Sequence, residues 1–258
     1  MEQSEEELFN EFLKRNKRNI NCLLDKERNI RLRALKEFNK DLFEEKNDAV
    51  LGKFWRDHLV KPLVLIYDDK IEKLRELAIE ITQKMLERFE LQDEAQVIIS
   101  GIVARMDKIP FPEQSEEVRI EFLELLDQML SINFYPFVPQ LTEVCTMLSK
   151  ILLDANPEMK NKASNFWIKL CDKISEKWGT RMKRVVISLT ENLKHQHSKV
   201  RKSSLNALKV VIGCKGAGEF LEEALPQMKM TMNDRHYDVR EVAIDVIDYW
   251  LRNMDILW

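Results

Sequence analysis

The sequence contains few of the residues that form turns or sheets. Only six glycines and seven prolines occur among its 258 residues, and no segment alternates β-branched and polar residues as a strand does. A chain with so few turn formers and no strand pattern is left with helices. We therefore predict an all-α fold.

An excess of one charge is also lacking. The chain carries 44 acidic and 41 basic residues, a net charge of −3, so its total charge does not indicate a nucleic acid or a charged membrane as partner. No apolar run reaches the roughly 18 residues that a membrane-spanning helix needs, and the first residues, MEQSEEELF, are acidic where a targeting peptide would be basic. These observations predict a cytoplasmic protein without a membrane partner.

Residues for metal binding or catalysis are scarce. The cysteines lie far apart, without the spacing of a metal site, and we expect reduced thiols within helix packing: Cys22, Cys145, Cys171 and Cys214. His195 and His197 form an HxH pair without a third ligand nearby. The segment Gly213–Gly218 lacks the spacing of a phosphate-binding loop. The sequence therefore predicts no metal, no cofactor and no catalysis.

What the sequence does contain is one pattern that occurs six times. An apolar residue followed by Arg or Lys opens each copy: Ile30-Arg31, Leu74-Arg75, Val118-Arg119, Met159-Lys160, Val200-Arg201 and Val239-Arg240. The apolar residues are spaced by 44, 44, 41, 41 and 39 residues, which is the period of HEAT and armadillo repeats. We predict a right-handed α-solenoid of about six HEAT-type helix pairs.

Two further positions repeat in register with this pattern. Four residues after each apolar residue stands a small or aromatic residue, on the same helix face. Five residues before it stands what we call the corner residue, at the turn between two helices: Asp25, Asp69, Glu113, Asp154, His195 and Asp234. An acid there can cap free N–H groups of the following helix. We interpret His195 as a substitute for that acid.

The cation of each pair is not explained by its own helix, because a positive charge in the first turn opposes the helix dipole. We therefore predict that it pairs with the corner acid of a neighbouring repeat, so that the pairs form a ladder along the array. The residues assigned to this ladder are Asp25, Arg31, Asp69, Arg75, Arg119, Asp154, Lys160, Arg201, Asp234 and Arg240.

The repeats predict a single array over residues 1–258. A capping helix, 1–16, precedes repeats at about 17–46, 48–89, 93–131, 135–177, 179–214 and 217–252. Within the first repeat we expect a short helix at Asn19–Leu24 and its partner at Ile30–Phe43. In the second repeat Pro62 should bend the first helix.

Two loops and the last residues stand out. The Ile109–Glu113 turn should be stiff, and Lys215–Gly218 is the best candidate for a hinge. Trp250, Leu251 and the Ile256–Trp258 tail do not resemble the polar cap that a terminal repeat normally needs. We expect them to face outward, so that the chain either continues or associates end-on with itself or another protein.

Basic residues are concentrated in one stretch. Between Lys160 and Lys215 there are 14 Lys and Arg against three acids, whereas from Gly216 onward four basic residues face nine acids. One interpretation is a solvated face with some pairs between repeats. The other is a docking surface for an acidic protein segment, and we call its residues the basic face: Lys194, His197, Lys199, Lys202 and Lys209. Nucleic acid is disfavoured, because RNP-like aromatics and a recognition helix are missing.

Several segments together resemble a known family. They are HQHSKVR at His195–Arg201, EQSEEVR at Glu113–Arg119, KLRELA at Lys73–Ala78, and Val239-Arg240 with Trp250-Leu251. Taken in their order along the chain, they resemble the N-terminal part of the HEAT-repeat dynein axonemal assembly factors. The resemblance implies a non-enzymatic cytoplasmic factor that helps to assemble dynein arms for cilia, with dynein chains and chaperones or co-chaperones as partners.

Two other classes remain open at this point. A general HEAT scaffold, of the phosphatase-subunit or transport-receptor type, would hold an extended partner on its inner helices. A binder of microtubules or acidic tails would use the basic face directly.

Overall fold

The computed structural model describes residues 4–90, 93–107, 113–174, 178, 181–214 and 216–253. All regular structure among these residues is helical, and they contain no strand. The all-α prediction is therefore confirmed. By their contacts the residues form two compact units, Met1–Phe137 and Val138–Trp258. The single array over 1–258 stays a prediction.

The helices follow the predicted repeat. In chain order they are α1 (Glu5–Cys22), α2 (Arg28–Glu44), α3 (Asp48–Phe54), α4 (Val60–Ile66), α5 (Glu72–Arg88), α6 (Glu94–Met106), α7 (Glu116–Ile132), α8 (Leu141–Ile151), α9 (Pro157–Lys173), α10 (Met182–Asn192), α11 (Ser198–Ile212), α12 (Leu221–Thr231) and α13 (Tyr237–Arg252). The pattern that opens each copy lies in the first turn of α2, α5, α7, α9, α11 and α13.

Equivalent helices pack side by side within each unit. In the first unit α2 packs on α5 and α5 on α7, and in the second α9 packs on α11 and α11 on α13. The apolar residue of the pattern supplies this packing: Val118, Val200 and Val239 are all fully buried. Burial of one side chain of this size contributes about 1.5–3 kcal/mol. The apolar residue of the pattern therefore contributes to the core from the second repeat to the sixth, whereas Ile30 of the first repeat is only half-buried.

The beginning of the chain differs from the prediction. A separate capping helix and a short helix at Asn19–Leu24 were expected, but α1 is one continuous helix from Glu5 to Cys22. Its start is fixed by a capping box, in which the Ser4 hydroxyl accepts from the Glu7 N–H at 3.2 Å and the Glu7 carboxylate accepts from the Ser4 N–H at 3.1 Å. No Gly or Pro interrupts the helix afterwards, so the polar residues between the two predicted helices continue it.

The first helix of the second repeat is interrupted, as expected, but not at Pro62 itself. A π-helical turn at Trp55–Leu59 separates α3 from α4, and Pro62 lies within α4. Proline lacks an N–H and its ring collides with the carbonyl four residues earlier. The widened turn directly upstream accommodates that carbonyl.

Some predicted features cannot be compared with the fold. Ile109–Pro112, Lys215 and Ile256–Trp258 lie outside the described residues. Gly216, next to Lys215, has a φ of 79°, a conformation that glycine adopts without strain. The hinge at Lys215–Gly218 stays a prediction.

Gly101→Ala is expected to destabilise the protein, although alanine normally favours a helix by about 1 kcal/mol. A Cβ at Gly101 in α6 would overlap Val64 Cγ1 on α4. The β-branched valine cannot rotate away freely, so overpacking should cost about 1–3 kcal/mol. Urea unfolding followed by circular dichroism measures the change.

Two further variants test the cause. Adding Val64→Ala to Gly101→Ala should recover most of the loss. Gly52→Ala is a matched control, because its nearest neighbours are the tips of Arg56 and Phe89 at 3.3 Å, which can shift. If Gly101→Ala proves as stable as the unmodified chain, the close approach of α4 and α6 is not a constraint.

Candidate functional site

The corner residues share one local function in the structure. Each accepts a hydrogen bond from the backbone N–H two residues later. The pairs are Asp25 with Glu27 at 2.8 Å, Asp69 with Ile71 at 2.9 Å, Glu113 with Ser115 at 2.9 Å, Asp154 with Asn156 at 2.8 Å, His195 with His197 at 3.1 Å and Asp234 with His236 at 2.9 Å. This bond fixes the turn that leads into the second helix of every repeat.

His195 replaces the corner acid, as the sequence pattern predicted. Its Nδ1 accepts the hydrogen bond from the His197 N–H, and an accepting nitrogen carries no proton. Burial lowers the pKa of His195, and the positive charge of Lys160 lowers it further. The neutral imidazole therefore holds the turn in place of a carboxylate.

The arginines connect each repeat to the next. Arg31 lies 2.7 Å from Asp69 (Nε to Oδ2), Arg75 donates to Glu113 at 2.7 Å (Nη2 to Oε1), and Arg201 donates to Asp234 at 2.7 Å (Nη2 to Oδ1). These are the pairs that the ladder prediction names. Arg201 donates to Asp234 through both Nε and Nη2, the bidentate geometry that makes such pairs strong.

The same arginines also form a hydrogen bond within their own repeat. Nη1 donates to the carbonyl of the repeat's own corner residue, at 2.8 Å from Arg31 to Asp25, 2.8 Å from Arg75 to Asp69 and 2.7 Å from Arg201 to His195. One guanidinium thus binds two successive corners.

The partners of Asp234 favour its ionised form. Burial raises the pKa of Asp234, but hydrogen bonds from Arg201 and from the His236 N–H outweigh it, and the net pKa is lowered. Glu113 is completely buried and has two cationic partners, Arg75 and Arg105. Buried charges persist when they are paired in this way.

Three ladder residues differ from the prediction. Lys160 binds the Leu152 carbonyl at 3.2 Å and Asn192 Oδ1 at 2.8 Å, because the next corner carries His195 and offers no carboxylate. Arg240 donates only to its own corner carbonyl, that of Asp234, at 2.6 Å, and no acid of the described chain pairs with it. The Asp25 carboxylate accepts from the Glu27 N–H, but no arginine of the described chain forms an ion pair with it. The pairing of Arg119 with Asp154 stays a prediction.

The basic face is partly neutralised by acids of α13 and α10. Lys209 lies 2.7 Å from Asp245, Lys202 lies 3.8 Å from Asp238, and Lys194 lies 3.0 Å from Glu191. Lys199 has no ion pair with any described residue. These pairs between neighbouring helices are what the solvated-face interpretation expects, and they leave Lys199 as the lysine most able to meet a partner.

Two polar grooves flank the start of α11. One, of 570 Å³, is lined by His197 and Lys199 together with Asn161, Lys162 and Asn165 of α9. The other, of 470 Å³, is lined by Lys194, His195, Gln196, Asp234 and Arg235, among others. The first groove has an ammonium group on each wall, from Lys199 and Lys162, but Glu158 also lines it and lies 3.8 Å from Lys162.

Acidic side chains cluster on α5 and α7 of the first unit, but lysines of α5 pair with two of them. Glu76 lies 2.7 Å from Lys73, and Glu80 lies 2.6 Å from Lys84. Burial raises the pKa of Glu121 in α7 to about 7, and the negative charge of Glu76 adds to the effect.

The last helix exposes a surface that other repeats bury. In α11, Leu205, Leu208 and Ile212 are fully buried. Their equivalents in α13 are Ile244, which is 55% exposed, the half-buried Ile247, and Leu251, which is 64% exposed. We call these three residues the end face. The outward position of Leu251 agrees with the prediction, and end-on self-association stays a prediction.

Trp250 was expected to face outward as well, and that expectation is wrong. Its side chain is only 3% exposed, and its Nε1 donates to the Lys209 carbonyl at 3.3 Å. The tryptophan therefore packs back onto the preceding repeat. Ile256–Trp258, the rest of the predicted apolar tail, lie outside the described residues.

Metal-binding clusters and membrane-spanning helices are both absent from the described part of the chain. No group of three or more His, Cys, Asp or Glu side chains there could hold a metal ion. No helix there is long and apolar enough to cross a membrane.

Solved structures resemble this fold. A designed armadillo repeat protein in complex with the peptide (KR)4 aligns with a TM-score of 0.61 at 17% identity, covering 90% of this chain and 98% of that one. An engineered protein aligns with a TM-score of 0.62 at 12% identity over 92% of this chain and 97% of the other. Fold and corner ladder together define an all-α helical-repeat solenoid, whose fold resembles that of armadillo repeat proteins.

The sequence comparison identifies the family. A family model described as "Dynein axonemal assembly factor 5-like, TPR repeats" matches residues 22–255, and the chain belongs to that family. Dynein axonemal assembly factor 5 of Xenopus laevis is 28% identical over 236 residues, which cover 91% of this chain and 28% of the relative. The Mus musculus protein is 24% identical over 205 residues, covering 78% and 24%. The chain thus spans about a quarter of the length of these relatives.

Proposed function

We propose that this chain is a non-enzymatic scaffold that assists the cytoplasmic preassembly of axonemal dynein arms. The observation that carries the proposal is the family match over residues 22–255. It is supported by the relatives' name, which assigns them to dynein assembly, and by a fold whose recurrent helices offer long surfaces for protein partners. Dynein chains and chaperones or co-chaperones are the proposed partners.

Within this function, the groove beside Lys199 is the proposed client site. His197 and Lys199 line one wall and Lys162 the other, so an acidic client segment would meet positive charge from two repeats. Lys162 already lies 3.8 Å from Glu158, and Lys194, Lys202 and Lys209 each face an acid as well, so Lys199 should contribute most. Exposed charges are screened over about 10 Å at 0.1 M salt, and client binding should therefore weaken steeply as salt increases.

Reversing the groove charges should abolish client binding. The variant Lys162→Glu/Lys199→Glu removes both ammonium groups and adds carboxylates that repel an acidic segment. The broader variant Lys199→Glu/Lys202→Glu/Lys209→Glu should have the same effect, although it also places acids against Asp238 and Asp245. Capture of dynein heavy and intermediate chains and of chaperones from ciliated-cell extract, quantified by mass spectrometry, measures the loss.

The matched control reverses exposed acids of the first unit, Glu6→Lys/Glu11→Lys/Glu37→Lys, and should bind normally. Circular dichroism should show unchanged helicity for all variants. Normal capture of dynein chains and chaperones by both lysine variants would refute the groove as client site. Capture of a phosphatase or a GTPase would favour the general scaffold, and capture of tubulin alone the microtubule binder.

A further inference from the structure

A groove between α8 and α10 of the second unit contains two arginines that belong neither to the ladder nor to the basic face. These two helices pack side by side, and the groove between them has a volume of 250 Å³. We call it the arginine groove. None of the described residues that line it is acidic: they are Thr142, Cys145, Thr146 and Ser149 of α8, with Arg181 and Arg184 at the start of α10.

Arg181 is oriented towards the groove by a hydrogen bond. Its Nε donates to Thr142 Oγ1 at 2.9 Å, which connects the start of α10 to the first turn of α8. A guanidinium carries five N–H donors in one plane, so a group oriented in this way can also bind an anion. Burial raises the pKa of the Cys145 thiol to about 12, and the positive charge of Arg181 opposes that rise. The charge of Arg181 therefore acts within the groove.

Arg184 adds a second positive charge from the same helix. It is exposed in the first turn of α10 and forms no ion pair with a described residue. The first turn of a helix also carries the positive end of the helix dipole, and that of α10 contains no acid. The adjacent Lys183 differs, because it lies 3.6 Å from Glu223 of α12. Two guanidiniums and a helix N-terminus thus act on the same groove.

Of the three hydroxyl groups in the groove, that of Thr142 is the one able to donate to a ligand. Thr146 donates to the Thr142 carbonyl at 2.9 Å and Ser149 to the Cys145 carbonyl at 2.7 Å, so their hydrogens are used within α8. The Thr142 hydroxyl accepts from Arg181 and keeps its own hydrogen for another acceptor. The groove therefore offers one hydroxyl beside the two guanidiniums.

These donors match a phosphomonoester better than a carboxylate. A phosphate on serine or threonine carries about −1.5 to −2 charges at pH 7 and has three strong acceptor oxygens, whereas a carboxylate carries one charge on two oxygens. Arginine binds phosphate oxygens in pairs through its planar fork. A nucleotide would also need a surface on which its base can stack, and none of the described residues lining the groove is aromatic.

We propose that the arginine groove is a binding site for a phosphoserine or phosphothreonine of a partner protein. The phosphate binds between Arg181 and Arg184 and accepts a hydrogen bond from Thr142. Ile187 lies one turn after Arg184 on α10 and is 49% exposed, so it offers the partner's flanking residues an apolar contact that a free phosphate ion cannot use. The site is separate from the groove beside Lys199 and does not depend on the client proposed there.

Calorimetric titration of the full chain with short peptides tests the site. The probes are a capped leucine–phosphoserine–leucine peptide, its serine and glutamate counterparts, and inorganic phosphate. We expect the phosphopeptide to bind about tenfold more tightly than the glutamate peptide or inorganic phosphate, and the serine peptide not to bind. Lowering the pH from 7 to 5 should weaken phosphopeptide binding, because the second pKa of the phosphate is about 6 and the monoanion predominates below it.

Substitutions of the lining residues locate the site. Arg184→Gln should weaken phosphopeptide binding about tenfold and leave the fold intact, because Arg184 is exposed. Thr142→Val should weaken it by a smaller factor, and Arg181→Gln/Arg184→Gln should abolish it. Circular dichroism should show that each variant keeps the helicity of the unmodified chain.

Two matched controls exclude general attraction to positive charge. Lys183→Gln removes a cation from the same turn of α10, but one that faces Glu223, and Lys199→Glu reverses the lysine of the proposed client groove. Both should bind the phosphopeptide normally. Normal binding by Arg184→Gln, a loss in either control, or no binding by the unmodified chain at millimolar peptide would overturn the proposal. Equal affinities for the phosphopeptide and inorganic phosphate would overturn it in favour of a site for the free ion.

Discussion

Arg75→Ala is expected to lower the free energy of unfolding by about 3 kcal/mol, the lower end of the range for removing one partner of a buried ion pair. The Arg75 side chain is 6% exposed and that of Glu113 is not exposed at all, so the carboxylate cannot be rehydrated. The loss stays at the lower end because Arg105 still donates to Glu113 at 3.3 Å. Urea unfolding monitored by circular dichroism gives the value.

Arg240→Ala is the matched control for this prediction. Arg240 occupies the same repeat position, but it binds only the Asp234 carbonyl, so its loss should cost about 1 kcal/mol or less. The double variant Arg75→Met/Glu113→Met should recover much of the stability that Arg75→Ala loses, because it removes both charges. Equal effects of Arg75→Ala and Arg240→Ala would show that the ladder does not stabilise the repeats.

Trp167→Ala is expected to cost about 4 kcal/mol, within the range for removing a large buried aromatic side chain. Trp167 in α9 is fully buried, and its ring lies 5.9 Å from that of Trp178. Truncating a fully buried side chain of this size leaves a cavity into which the surroundings collapse only partly. The same unfolding measurement applies.

Trp167→Phe distinguishes packing from hydrogen bonding. The Trp167 indole N–H has no acceptor among the described residues, so phenylalanine loses volume without leaving a polar group unpaired. We expect a much smaller loss than for alanine. If the two variants were equally destabilised, the indole N–H rather than the ring volume would be the important group, and the cavity argument would be wrong.

The repeat could be predicted from sequence because its determinants are local. The apolar residue, the cation next to it and the corner residue all lie within six positions of each other, and helix geometry fixes their directions. His195 could be assigned to the corner for the same reason. The Arg31, Arg75 and Arg201 pairs follow once the period is known, because the period sets which corner lies alongside.

Features that depend on side-chain reach between helices were not predictable. Lys160 has a shorter, linear side chain than arginine, and it ends at Asn192 rather than at the corner. The position of Trp250 depends on whether its ring fits against α11, which helix periodicity does not reveal.

The basic face illustrates the difference between counting charges and placing them. The segment from Lys160 to Lys215 is strongly basic, and the segment that follows is acidic. Folding brings Asp238 and Asp245 of α13 against Lys202 and Lys209 of α11. Much of the excess of positive charge in this segment is thereby neutralised by acids of the neighbouring helix. Lys199 forms no ion pair with a described residue.

Arg31, Arg75 and Arg201 each bind two successive corner residues. The type of corner residue therefore determines which repeats could be duplicated without the loss of an ion pair. A tandem copy of residues 69–112 would set the first Arg75 against a second Asp69, an acid like the Glu113 that it faces now, and every guanidinium would keep a carboxylate. A tandem copy of residues 195–233 would instead set Arg201 against the neutral ring of a second His195. Modules that begin with an acid can therefore be multiplied in evolution or in engineering, whereas the module that begins with the histidine resists it.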